Sequence, residues 1–274
     1  MSPFHKYINH LFHDAERYAK KAVKDFDKED IHKMRVELKK IKAAFHFLQF
    51  FDADLKNNEL KKLKKIFAGA GELRELQLLE EAIKKFRSLQ NKSAKELLLH
   101  YLHEEENKAK KKFDHQFQKA GKEALDNLHK VMLHEKEIDV SDYILYFQSI
   151  VRSIIGQMQN TSLTTEEYHE LRKKLKELKY NLSFADEQSK KIVEETFSEK
   201  ELSGLEELVG KWHDQVIIVL RLKEISERKM DLQSFILTVT RRTQHRCDLL
   251  LKKISNQLMK KVSGIKNDAN IVLK

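Results

Sequence analysis

Residues 32–48 read His32-Lys-Met34-Arg35-Val-Glu-Leu38-Lys39-Lys-Ile41-Lys42-Ala-Ala-Phe45-His-Phe47-Leu48. Met34, Leu38, Ile41, Phe45 and Leu48 follow one another at steps of three and four, which puts them on one face of an α-helix. The same spacing returns in Leu171, Leu175, Leu178 and Leu182, and alternation at period two is hard to find anywhere. The 274 residues include one proline, Pro3, and seven glycines, too few to interrupt helices often or to turn hairpins. The chain is therefore expected to be all-α. Polar stretches at 25–30, 52–58, 88–93, 135–141, 160–165, 186–189 and 227–231 predict breaks between about eight long helices. Thr164-Thr-Glu-Glu167 and Ser141-Asp142 have the form of helix starts, where a side-chain oxygen accepts an otherwise orphaned N–H.

The 32–42 segment has a second copy. His32, Arg35, Leu38, Lys39, Ile41 and Lys42 are matched by His169, Arg172, Leu175, Lys176, Leu178 and Lys179, 137 residues on, which is half the chain. Gly71-Glu-Leu-Arg74-Glu75 is matched by Gly210-Lys211-Trp212-His213-Asp214 at an offset of 139, and Lys108, Lys111 and Lys112 by Arg242, His245 and Arg246 at 134. Three pairs in one order at nearly one offset indicate an internal repeat. The simplest account is two similar helical bundles in tandem, 1–138 and 139–274.

On a helix that advances about 100° per residue, His32, Arg35, Lys39 and Lys42 share an arc of roughly 80°. His169, Arg172, Lys176 and Lys179 share the same arc in the second repeat. Apolar residues bracket each stripe: Val36, Ala43 and Phe47 on one side of the first, and Tyr180 and Phe184 on the corresponding side of the second. The remaining sectors, with Lys33, Glu37, Lys40 and Ala44 in one helix and Glu170, Lys174, Glu177 and Asn181 in the other, are expected to face solvent. No carboxylate lies within either stripe, so both are expected to be unneutralised. Neighbouring cations repel by about 1 kcal/mol per pair at 4 Å even in water, and an anion between them relieves that cost.

The whole chain carries 53 Lys and Arg against 43 Asp and Glu, a net charge of +10. That balance favours an anionic partner. The single cysteine, Cys247, excludes an intrachain disulfide and fits a reducing compartment. The first 21 residues are charged and lack the apolar core of a secretion signal. The longest aliphatic run, Val216–Leu220, is far too short to span a bilayer. A soluble cytoplasmic protein without a membrane partner is expected.

With these motifs in place, the chain resembles the CHAD family, named for a conserved-histidine α-helical domain. Each half of its members opens with a pattern like H-x-x-R-x-x-x-K-R-L-R and continues with G-x-x-R/H-D. Here the corresponding segments are HKMRVELKKIK at 32–42, HELRKKLKELKY at 169–180 and GKWHD at 210–214, and the likeness covers nearly the whole chain. Lys42 and Lys179 replace the usual arginine, and Glu75 and Gln77 stand where aspartates are usual. The resemblance implies two antiparallel four-helix bundles related by pseudo-twofold symmetry, a basic central pore, and binding of inorganic polyphosphate, with polyphosphate granules as a place to find the protein.

Polyphosphate suits the residues. Arg35 and Arg172 would supply forked contacts, and Lys39, Lys42, Lys176 and Lys179 point charges. Arg74, Lys211, His213, Arg242, Arg246, Lys108 and Lys112 complete the expected ligand set, with His32 and His169 as hydrogen-bond donors or helix braces. Asp214 and Glu75 are expected to orient cations or cap a helix. Sequence-independent nucleic-acid binding is the alternative, since phosphate contacts alone can supply it. Against it, the aromatic residues are mostly Phe at core spacing rather than interleaved with basic surface residues. Catalysis is not expected, because the stripes lack metal-binding carboxylates. Neither His10-x-x-His13 nor His100-x-x-His103 reaches the usual three or four ligands of a zinc site. No cofactor is called for: nucleotide-binding glycine loops are absent from the sequence, and Trp212 and Cys247 are expected to be buried filler.

Overall fold

The computed structural model describes residues 2–53, 55, 58–86, 92–134, 138–160 and 163–272, with side chains as far as Ile265. Among the described residues the chain is all-helical, as expected. The helices are α1 (Pro3–Asp25), α2 (Lys28–Phe51), α3 (Asn58–Lys85), α4 (Lys92–Leu133), α5 (Val140–Met158), α6 (Thr165–Asn181), α7 (Glu187–Thr196), α8 (Glu199–Arg228) and α9 (Gln233–Val272). Residues 54, 56–57, 88–91, 135–137 and 161–162 of the expected breaks lie outside the described residues. None of these helices is long and apolar enough to cross a membrane.

Side chains set the helix starts. Ser2 accepts the N–H of His5, with Pro3 in the first turn, where a missing N–H costs nothing. Asp27 accepts from Glu29 and Asp30 to open α2. Thr164 and Glu167 form the reciprocal pair anticipated for α6, with the Glu167 N–H donating to Oγ1 at 3.2 Å and the Thr164 N–H to the Glu167 carboxylate at 2.7 Å. At α5 the Asp142 carboxylate accepts the N–H of Asp139. One break was not expected, between α7 and α8. Ser198 and Glu201 form a second reciprocal cap there, a signal readable as Ser-x-x-Glu within the polar stretch 194–201 that only Phe197 interrupts.

The apolar face of α2 is core: Met34, Leu38, Ile41, Phe45 and Leu48 are all buried, as are Leu171, Leu175 and Leu178 of α6. Each such side chain contributes about 1.5–3 kcal/mol by leaving water. The sectors expected to face solvent behave otherwise. Ala44 and its repeat counterpart Asn181 are both 0% exposed, and Glu37 is buried beside Lys40. In the first repeat α1 packs on α2, bringing the Lys33 ammonium within 5.8 Å of the Tyr18 ring. In the second, α5 packs on α6: Asn181 donates to the Tyr146 hydroxyl, which donates to Glu177. The preceding helix thus covers part of that sector in each repeat, while Glu170 at the start of α6 stays exposed. His32 is exposed and Arg35, Lys39 and Lys42 are half-buried.

The chain divides into two compact units that do not follow chain order: Met1–Glu135 with Val216–Gln244, and Lys136–Gln215 with His245–Lys274. In the first, α3 packs on α4 and α2, and α1 on α2 and α4. Leu79, Ile83, Leu98 and Leu102 join Ile218, Leu222 and Ile225 of α8 and Phe235, Ile236 and Val239 of α9 in one apolar cluster. In the second, α5 packs on α6 and α7, and Trp212 is 1% exposed against Tyr168. The long helices α8 and α9 thus contribute to both units, so residues 216–244 of the second sequence repeat belong to the first unit. Cys247 is buried, and burial pushes its thiol up to about 11, which makes it unreactive at neutral pH.

Candidate functional site

In the first unit α2 presents its stripe beside α3. Arg35 donates from Nη1 to the Phe67 carbonyl at 3.0 Å, and its guanidinium lies 4.3 Å over the Phe67 ring. The Lys39 ammonium is 5.8 Å from the same ring. This geometry explains Gly71: a Cβ there would stand 2.9 Å from Arg35 Nη1, so the absent side chain makes room for the guanidinium. Arg74 is half-buried three residues further along α3. Glu75 orients a cation, as expected, and its partner is Arg221 of α8, at 2.8 and 2.9 Å.

In the second unit α6 faces α8. Nδ1 of His169 lies 3.0 Å from Nδ1 of His213, which joins two residues singled out from different motifs. Burial, reinforced by Arg172, holds the His169 imidazole below the usual histidine range. The Arg172 Nε is buried without a hydrogen-bond partner. Burial lowers the pKa of its guanidinium, with Asp214 and Glu206 opposing, and an arginine keeps its charge in such a place.

The expectation that both stripes are unneutralised fails in the second repeat. Glu206 of α8 accepts from Lys176 at 2.5 Å and Lys179 at 3.1 Å. Burial works to raise the Glu206 pKa, but the two ammonium groups outweigh it and hold the carboxylate below its usual range. Glu206 escaped the sequence reading because a carboxylate on another helix has no fixed spacing to the lysines. A signal existed nonetheless: Glu206 stands four residues before Gly210, as Phe67 stands four before Gly71.

Other expected ligands are occupied elsewhere. Lys108 pairs with Glu105 in its own helix, Lys112 with Glu72, and Lys211 with Glu207. Arg242 is exposed with its guanidinium 4.6 Å over the Phe86 ring, and Arg246 is exposed on α9. Of the histidine pairs, His10 and His13 both lie near Asp14, and His100 lies near Glu104.

The arrangement offers, twice, an arginine and two lysines along one helix face, with histidines at its start. Such donors suit the oxygens of an anion with repeated charge. Comparison with solved structures finds the crystal structure of the CHAD domain from the plant Ricinus communis, at a TM-score of 0.78 and 14% identity over 94% of this chain and 90% of that one. At that identity the likeness establishes the fold. A comparison with curated protein sequences finds no match. The sequence model of the CHAD domain matches residues 6–223, and with the duplicated histidine–arginine–lysine motif lying inside that span, the chain belongs to the CHAD family.

Proposed function

We propose that the protein binds inorganic polyphosphate through the cationic stripes of α2 and α6 and does not hydrolyse it. The observation that carries this reading is Arg172, a half-buried arginine whose Nε has no hydrogen-bond partner. Leaving a buried donor unmet costs about 1–3 kcal/mol, and a phosphate oxygen is the acceptor its fork fits best. Arg35, Lys39, Lys42, Lys176 and Lys179 add the charges that a repeating polyanion engages, with the His169–His213 pair on α6 and α8 and Arg74 three residues beyond Gly71 on α3. Lys108, Lys112 and Lys211 have carboxylate partners and lie on helices other than α2 and α6, so they would add attraction from outside the two stripes. We also propose that the repeats 1–138 and 139–274 each supply one cationic array. On this reading the protein accompanies polyphosphate in the cytoplasm, including its granules.

Titration with long-chain polyphosphate, set against single- and double-stranded nucleic acid at equal phosphate, tests the proposal. Polyphosphate should bind more tightly across the salt range, with affinity falling as salt rises. Equal or tighter binding of nucleic acid would replace this reading with the alternative.

A further inference from the structure

Phe67 and Glu206 occupy the same place in the repeat, one helical turn before Gly71 and Gly210. Each is touched by the stripe of its own unit. The Arg35 guanidinium stacks on Phe67 and the Lys39 ammonium lies near its ring, whereas Lys176 and Lys179 close on the Glu206 carboxylate. That carboxylate has a side chain only 13% exposed and gives the two ammonium groups what a phosphate oxygen would give them.

Resting on the polyphosphate reading, we propose that Glu206 is an internal counter-anion that holds the lysine donors of the second stripe, so that this stripe accepts a polyanion only in exchange for its own carboxylate. The exchange selects for long, densely charged ligands. A long chain anchored on other cations presents its next phosphate at high local concentration and can displace Glu206. A short anion must do so from free solution. Glu206 is therefore a specificity-determining residue, and the first repeat, with Phe67 in its place, lacks this particular exchange.

The test compares wild type, Glu206→Gln and Phe67→Glu by titration with long-chain polyphosphate and with tripolyphosphate at low salt. Removing one charge about 5 Å from the bound phosphates should tighten binding about fourfold if water screens the interaction, and more in a drier site. Glu206→Gln is expected to gain by at least that factor, with the larger gain for tripolyphosphate. Phe67→Glu, at a half-buried position, should lose affinity by a similar factor. Wild type that binds while Glu206→Gln binds no better overturns the inference and leaves the polyphosphate reading standing. Absence of binding by all three proteins overturns both. Circular dichroism verifies folding; should Glu206→Gln not fold, unchanged affinity in Phe67→Glu overturns the inference on its own.

Discussion

The Nδ1 atoms of His169 and His213 lie 3.0 Å apart, so one ring must offer a lone pair to the N–H of the other, and both cannot be imidazolium in this arrangement. The rings meet edge to face, and His169 also lies against Trp212. In the first repeat the corresponding positions are His32 and Arg74. A titratable pair in one repeat thus corresponds to a histidine and a permanent cation in the other.

Binding should therefore depend on pH. Burial and then Arg172 and Lys173 hold His169 below the usual range, while Glu166 and Glu170 oppose them. A polyanion alongside reverses that field, so the complex takes up protons and affinity should rise modestly as pH falls from about 8 to 6. Folding stability should move the other way: the unfolded chain holds the His169 proton more tightly, so stability is lost as pH falls below about 6.5. Titrations with long chains, which have few titrating ends, check the first trend, and thermal unfolding checks the second. Full retention of both in His169→Gln would assign them to other groups.

Charge reversal in either stripe should remove most of the affinity. Arg35→Glu with Lys39→Glu, or Arg172→Glu with Lys176→Glu, replaces attraction by repulsion at two contacts. Helical circular dichroism should persist, since the apolar faces of both helices, with Met34, Leu38 and Ile41 and with Leu171, Leu175 and Leu178, are left intact. Either pair binding at full strength would show that its stripe does not contact the ligand.

The two motif glycines should respond differently to alanine. At Gly210 a Cβ meets nothing within 4 Å, so Gly210→Ala should stabilise the helix by about 0.8–1 kcal/mol. At Gly71 the new Cβ presses on Arg35 Nη1 at 2.9 Å and pushes the guanidinium from the Phe67 carbonyl. Gly71→Ala should gain less stability than Gly210→Ala, or lose some, and should bind polyphosphate more weakly. Denaturant unfolding of both variants gives the comparison; equal gains would mean that Arg35 does not need the space.

Incubation with polyphosphate and magnesium or manganese should release no orthophosphate above the uncatalysed rate. The carboxylates next to the stripes have other tasks: Glu206 binds two lysines, Glu75 binds Arg221, and Asp214 supports the charge of Arg172. Phosphate release that disappears in Asp214→Asn would establish hydrolysis instead.

The all-helical fold, most breaks and both cationic stripes follow from local sequence, because helix periodicity and capping act over a few residues. The repeat was legible too, since His32, Arg35 and Lys39 return as His169, Arg172 and Lys176 in a fixed order. Which sector of each helix faces solvent was not legible. Met34 and Leu38 mark one buried face, but Ala44 and Asn181 are covered by a second neighbour, and an amphipathic pattern reveals a packed face without saying how many helices pack on it.

The residues that complete each stripe were likewise decided by tertiary structure. Arg35 on Phe67, Lys176 and Lys179 on Glu206, and His169 on His213 join positions 27 to 44 residues apart on different helices. Spacing within one helix places the cations on a common face. Whether that face meets an aromatic ring, a carboxylate or an imidazole depends on the register of the packed helix, which is set by the burial of side chains distant in the chain.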